Sequence, residues 1–584
     1  MDEQIEKVIA LAGNQNRYQY FTLVVIVFLW INCNFISVII PFIEREPLIN
    51  YKDEDGEFHT NVTLTNEICE QYAGKYEIVE RFKYSWVSEF GIECEKFEIS
   101  LIGTFVFIGN TAGGLLFSII NKIISHKKIL IISSFGFCIT AFLNTLITSF
   151  DYFYFSLICL IFLGVFGNCL CYSSLVIAEE IVSSDKRSLF TSIINVGYSL
   201  CGVLYSIAFL FAQDWRIVFY ILIGASILTL LLIWIFIYDS PRGYINKKDF
   251  KNTMRILEGI AAFNGKLEEF KESLKQEEYQ DILSAIKGEE VVTIKKEDIE
   301  KNIDNKEKNE DEDIIEIKKN KENDENEDKE DNIDNKENDD NQENEDNNND
   351  NKENNEKENI LYTDNNRNQS EPLVQKSSTG RKSKIQNINI WSLFKYKSIR
   401  YKFIVLNILW IGTRASFNGI TISSKSFPGN FYFNIIILYI IESISYSLSG
   451  CIIDIEKIGR KGALWIQYVL IITTLILLAF FEFDTVIELI LNFISRFSAA
   501  GIEVIYYTYS IEIYPTLVRG VAFGVNATFG NAGSIIAPLI LEYLDYWLFL
   551  FVFAIVCTIN SLLLFCLPET VGKPMKETID ELGE

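Results

Sequence analysis

The sequence predicts an all-α membrane protein with twelve transmembrane helices in two groups of six. Three observations carry this. Apolar runs long enough to cross ~30 Å of hydrocarbon recur along the 584 residues. Mean hydropathy is +0.16 although 22% of the residues are charged, so the apolar residues are concentrated in those runs. The runs also fall into two sets, separated by one long polar stretch. In lipid, runs of this kind satisfy their backbone only as a helix bundle.

The first six spans lie near 20–43, 99–120, 129–149, 152–178, 189–212 and 216–238. Spans 7 to 12 lie near 402–422, 432–453, 463–480, 485–509, 519–542 and 546–567. Glycines such as Gly109, Gly113, Gly114, Gly164 and Gly167 let neighbouring spans approach closely. Loops 121–128, 179–188 and 454–462 carry Lys122, Lys127, Lys128, Lys186, Arg187, Lys457, Arg460 and Lys461. The alternate loops carry almost no cation besides Lys425. The basic loops, and with them both termini, are expected in the cytoplasm. The first apolar run is too long for a cleavable signal peptide.

This divides the chain into a first half, 1–245, an inter-half segment, 246–400, and a second half, 401–584. The segment is acidic and expected to be disordered around 296–372. Residues 301–360 alone hold 25 Asp/Glu against 10 Lys, most of a net charge of −25. It is either a cytoplasmic partner-binding or regulatory loop or a tolerated low-complexity insertion. The amphipathic stretch Lys247 to Ala262 places Phe250, Met254, Leu257 and Ala261 on one face, for packing under the bundle or against the membrane surface. The other long loop, 44–98, faces outside, where Cys69 and Cys94 are expected to pair and Asn61-Val62-Thr63 accepts an N-glycan.

The composition also excludes functions. No basic surface balances the acid, which argues against nucleic acid as a partner. Two histidines, His59 and His126, leave no basis for a His-rich metal site or a Ser-His-Asp hydrolase, and no enzyme constellation, cofactor site or nucleotide-binding loop stands out.

The motifs sharpen the reading. Between spans 8 and 9 the chain runs Asp454-Ile-Glu456-Lys457-Ile458-Gly459-Arg460-Lys461, which resembles the acid-x-x-Gly-Arg-Lys signature of the major facilitator superfamily. Between spans 2 and 3, Asn121-Lys122-Ile-Ile-Ser125-His126-Lys127-Lys128 lacks the acid and the Gly-Arg. Further stretches resemble the organic cation/anion/zwitterion branch of the solute carriers. These are Gly13 to Gln19, Ser88 to Cys94, Glu180 with Arg187, Asp214-Trp215-Arg216, Asp239-Ser240-Pro241-Arg242, Glu512 to Arg519 and Pro568-Glu569-Thr570. Each stands at the helix boundary where the family has it. The resemblance covers about 1–265 and 390–584. It implies the major facilitator fold and a multi-pass protein of the plasma membrane, working as a monomer. It also implies alternating access for a small organic solute, as facilitator or secondary-active carrier. Glu180, Arg187, Asp239, Arg242, Asp454, Glu456, Gly459, Arg460, Glu512 and Arg519 would then be gating positions.

Substrate sites of such carriers lie between the halves near mid-membrane, and charges inside spans are costly. The candidates are Arg414 in span 7, Glu442 in span 8, and Arg496 and Glu503 in span 10. Arg414 and Glu503 either touch substrate or pair with each other. Glu442, a position the resemblance supports, either serves substrate or coupling or bonds to backbone or a hydroxyl. Asn531 in span 11 stands where the family has an acid in cation carriers and Arg in anion carriers. Being neutral, it leaves the sign of the substrate to other residues, or it caps a helix break. Trp410 and Phe417 are the leading aromatic candidates, with Tyr506, Tyr507 and Tyr509 behind them. Two other readings remain: a sugar-type facilitator, and a non-transporting membrane sensor or scaffold acting through the acidic loop.

Overall fold

The structure, a computed structural model, describes residues 2–13, 16–53, 57–64, 66–72, 75–121, 123–147, 150–182, 187–246, 249–276, 394, 396–453, 455, 457–514 and 516–571. The acidic stretch 296–372, Asp454, Glu456 and the side chains of Arg187, Arg242 and Arg519 lie outside the described residues.

Among the described residues, eleven helices are long and apolar enough to cross a membrane. Spans 2 to 6 are Lys96–Ile120, His126–Thr145, Phe153–Glu180, Arg187–Ala212 and Trp215–Phe236. Spans 7 to 10 are Lys397–Ser423, Phe431–Ile452, Gly459–Phe480 and Thr485–Ile513, and span 12 is Tyr546–Leu563. Large apolar side chains point outward around the bundle; Phe211 is 81% exposed and Trp234 64%. In water that belt would be costly, and in lipid it is solvated.

Spans 1 and 11 are interrupted helices. Span 1 is a helix over Arg17–Cys33 followed by two short turns, Phe35–Val38 and Ile40–Ile43. The Asn34 side chain donates to the Trp30 carbonyl at 2.9 Å, and Pro41 has no N–H to return to the preceding turn. Span 11 breaks between Thr516–Ser534 and Ile536–Tyr543, where Pro538 removes a ladder bond in the same way.

The small residues act as the sequence suggests. A Cβ on Gly109 would sit 2.3 Å from the Ile161 carbonyl oxygen, so spans 2 and 4 touch backbone to backbone. Between the six spans before the acidic stretch and the six after it, span 5 packs on span 8 and span 2 on span 11. There the Tyr439 ring fills the space a side chain at Gly202 would need.

The long loop after span 1 holds a small sheet that the sequence analysis did not anticipate. Strands Leu48–Lys52, Phe58–Thr63 and Tyr76–Glu80 form an antiparallel sheet with the first in the middle, pairing Leu48 with Thr63 and Ile49 with Ile78. Its own core is Ile49, Leu64 and Ile68. Cys69 and Cys94 are bridged, with Cα atoms 5.8 Å apart, and this ties the sheet to the start of span 2. Asn61 is exposed on the second strand with a φ of 54°. Glu89 accepts hydrogen bonds from Trp215 Nε1 at 2.5 Å and Arg216 NH1 at 3.0 Å, so two stretches that carry the family resemblance meet. Replacing Cys69 by Ser is expected to destabilise this loop by ~3 kcal/mol. Limited proteolysis should then cut residues 48–80 faster than in the parent chain; equal rates would contradict the tethering role.

At the other end, helix Phe250–Phe263 packs under the bundle. Leu257 and Ala261 are fully buried, and Phe250 and Met254 pack against the core. Asn264 accepts from the Tyr18 N–H at 2.8 Å and donates to the Ala12 carbonyl at 3.0 Å, which joins this helix to the start of span 1.

Candidate functional site

A cavity lies between the two sets of six spans. Its wall is unusually rich in amides: Asn34, Asn110, Asn168, Asn195, Asn418 and Asn531. Tyr172, Tyr198, Tyr446 and Tyr507 add hydroxyls. Among the described residues, the charged side chains in the lining are Arg414 and Glu503.

Arg414 NH2 and Glu503 Oε1 are 3.0 Å apart, which pairs spans 7 and 10 directly. Arg414 also donates to the Tyr507 hydroxyl, and its guanidinium lies 5.9 Å from the Trp410 ring centroid. The pair is not closed on itself. Arg414 Nε and Glu503 Oε2 are buried with no hydrogen-bond partner. Burying an unsatisfied polar atom is costly, and here one donor and one acceptor remain at the cavity wall. Asn531 donates to the Tyr172 hydroxyl at 3.5 Å, linking span 11 to span 4. Asn418 donates to the Arg414 carbonyl at 3.2 Å and to Ser534 Oγ at 2.8 Å, next to the break in span 11.

Glu442 lies outside this lining. It is fully buried and paired with Arg496, which is also fully buried. Arg496 donates from Nε to Glu442 at 3.0 Å, and from NH1 to the Phe417 carbonyl at 2.8 Å and Thr421 Oγ1 at 2.6 Å. Its guanidinium sits 3.8 Å from the Phe417 ring centroid. The hydroxyl of Ser199, on span 5, reaches Glu442 Oε1 at 3.4 Å. Glu442, Arg496 and Phe417 therefore form a sealed node one layer behind the cavity. Trp410 is fully buried too; its indole N–H donates to Ser510 at 2.8 Å and its ring packs edge-on to Tyr507.

The loop motifs form local networks at the end opposite the disulfide. Arg460 donates to both Glu512 oxygens, at 2.8 and 3.2 Å. Glu569 accepts from the backbone N–H groups of Arg460 and Lys461 at 3.1 and 2.9 Å, at the start of span 9. Partial burial alone would raise the Glu569 carboxyl, but the N–H groups of Lys461, Val571, Thr570 and Arg460 outweigh it and hold the group below its ordinary range. Gly459 is required there: its φ is +69°, and a Cβ would lie 2.8 Å from Glu569. In the first half, where the Gly-Arg is missing, Asp239 accepts the Lys127 N–H at 3.2 Å and so caps span 3. Ser240 donates to Glu180. The charges here join elements within one half.

The residues that sequence reasoning missed are mainly the amides. Asn110, Asn168, Asn195 and Asn418 stand inside apolar runs, a visible signal that a search for charges passes over. Tyr172 carried no signal in an aromatic-rich chain.

The comparisons with known proteins agree with this architecture. The model of the Major Facilitator Superfamily matches residues 22–538. Among relatives, Solute carrier family 22 member 16 of Xenopus laevis is 27% identical over 215 residues, which is 36% of this chain and 38% of that protein. Organic cation/carnitine transporter 2 of Rattus norvegicus is 26% identical over 204 residues, 34% of this chain and 36% of that one. The chain thus spans well under half the length of the curated relatives it matches. Among solved structures, the xylose transporter XylE from E. coli in a partially occluded inward-open conformation superposes with a TM-score of 0.57. The identity is 11%, with 94% of this chain and 100% of that one covered. The proton:xylose symporter XylE bound to 6-bromo-6-deoxy-D-glucose gives 0.55 at 13% identity, covering 97% and 99%. At such identities the likeness is one of fold. With a family model over most of its length and, among the described residues, eleven helices able to cross a membrane, this multi-pass membrane protein belongs to the major facilitator superfamily.

Proposed function

We propose that the chain is a transporter, not an enzyme, and moves a small organic solute carrying both charge signs by alternating access. One observation carries this reading: the cavity between the two sets of spans is lined, among the described residues, by one Arg–Glu pair in which each partner keeps one polar atom without a hydrogen-bond partner. A carboxylate on the solute would meet Arg414, and an ammonium group would meet Glu503 and the aromatic faces. The rat relative, an organic cation/carnitine transporter, supports the same solute class. The proposed orientation has both termini in the cytoplasm and the disulfide-bonded, Asn61-glycosylated loop outside, in the plasma membrane, with the monomer as the working unit. The halves that rock are residues 1–245 and 401–584. Asp454, Glu456, Arg187, Arg242 and Arg519 are proposed to gate alongside Glu180, Asp239, Gly459, Arg460 and Glu512.

The test is uptake of three labelled probes, side by side, at a set membrane potential: a quaternary ammonium cation, an aromatic carboxylate and a betaine. Saturable uptake of the betaine above the other two is expected. Uptake of none of the three by surface-delivered protein would overturn the reading. Replacing Asn531 by Asp adds a fixed negative charge to the lining and should move preference toward the cation. Unchanged selectivity would remove Asn531 from the site.

The amide-rich lining favours a second reading, a facilitator for a neutral hydroxylated solute such as a sugar. Saturable hexose uptake indifferent to charged competitors would select it. A sensor or scaffold acting through residues 296–372 would lose its output when they are deleted, whereas a carrier would keep its flux.

A further inference from the structure

The end of the bundle that carries the disulfide is closed by two clasps, and each joins a residue that follows span 1 to the second set of spans. In the first, the Arg45 guanidinium lies between the rings of Phe82 and Phe431, 4.0 and 4.2 Å from their centroids, and donates to the Tyr84 hydroxyl. Phe431 begins span 8. In the second, Lys425, just past span 7, is bonded to Glu542 of span 11 and lies 3.7 Å from Glu44. The other Glu44 oxygen accepts the backbone N–H of Gly103, in span 2, at 3.0 Å. Glu44, Lys425 and Glu542 are all buried, with side-chain exposures of 1, 8 and 4%.

The second clasp is unbalanced in charge. Among the described residues, Lys425 is its only cation, and it faces Glu44, Glu542 and, through the field at the same point, half-buried Glu46. Arg45 is engaged between its aromatic partners. Three ionised carboxylates around one ammonium would leave two net negative charges in a low-dielectric seam, which is strongly unfavourable. Proton uptake relieves it. We infer that the Lys425–Glu44–Glu542 clasp, with Glu46, is a pH-sensitive latch whose closed form holds protons and whose opening releases them.

Charge and burial agree with this. Burial, opposed by Lys425 and reinforced by Glu542, pushes the Glu44 carboxyl up to about 8, and Glu46 is raised for the same reasons. When the seam opens to water, both return toward the ordinary carboxylate range. The closed form binds more protons, so it is favoured at low pH and loses ground as pH rises from the open-state value, ~4.5, toward about 8. Within that window each raised carboxyl shifts the closed-to-open ratio by up to ~10-fold per pH unit.

The test measures the width of this end directly and does not depend on knowing the solute. Spin labels are placed at Phe97→Cys, at the start of span 2, and Phe481→Cys, after span 9. The full chain, with exposed Cys451 and Cys566 changed to Ser, is held in lipid nanodiscs, and the distance distribution is recorded from pH 5.5 to 8.5. One short distance is expected at pH 5.5, with a longer component growing as pH rises. Glu44→Gln, which imitates the protonated acid, should hold the short distance and flatten the pH response; Glu46→Gln should flatten it in part. A distribution that does not change with pH in the labelled chain with Glu44 and Glu46 intact would overturn the inference, whatever the variants do. So would a Glu44→Gln chain that keeps the full shift.

Discussion

Replacing Glu442 by Gln is expected to leave little folded protein. Arg496 would then be a fully buried guanidinium without its counter-ion, and breaking a pair of this kind costs ~3–5 kcal/mol. That is a large part of the margin of an ordinary domain. The double replacement Glu442→Leu with Arg496→Met removes both charges and should recover most of the folded yield, because a buried pair gains little over well-packed apolar groups. Thermal unfolding in detergent, read on all three chains, checks both halves of the prediction. If Glu442→Gln folds like the parent and loses transport alone, Glu442 belongs to the solute path after all, and the separation of node from cavity is wrong.

The second large effect concerns the pair that does line the cavity. Glu503→Gln and Arg414→Gln should each fold better than Glu442→Gln, since the remaining charge faces a polar cavity. Each should lower the efficiency of betaine uptake by about 10- to 100-fold, the equivalent of ~1.5–3 kcal/mol for one charge-assisted hydrogen bond. The two should then part company. Without Glu503, the lone Arg414 favours carboxylates; without Arg414, the lone Glu503 favours cations. Equal losses for all three probes, with no change of order among them, would make the pair a structural strut.

These two predictions rest on a distinction that only the fold supplies. The sequence shows four charges inside the spans and the shape of the bundle around them. The spans, their grouping and the loop motifs were legible because lipid enforces length, apolarity and boundary chemistry residue by residue. Which charge faces which was not. Glu442 and Glu503 sit on adjacent helices and read alike in sequence, yet one is sealed against Arg496 and the other opens on the cavity. The difference is one of helix rotation and depth, set by packing such as Gly501 of span 10 against Ser449 of span 8. The Lys425 clasp was equally hidden. Its partners Glu44 and Glu542 stand at opposite ends of the sequence, each an unremarked acid at a helix terminus. The strands of the outside loop were missed because their alternation is weak: only Ile49 of the first is buried, the third is half-buried or exposed throughout, and most of the second is exposed. The Gly459–Arg460–Glu512 network shows the opposite case. Its spacing was readable because a glycine with positive φ, a helix start and an acid must all coincide there.

The proposal that the chain is an alternating-access carrier is tested most directly by counterflow. Purified protein is reconstituted in liposomes loaded with unlabelled betaine, and a trace of labelled betaine is added outside, with no nucleotide and no ion gradient. A site that faces one side at a time predicts a transient accumulation of label inside the liposomes above its outside concentration, followed by decay as the unlabelled pool runs down. Entry of label that only approaches equilibrium, or no entry from liposomes shown to contain folded protein, would contradict it.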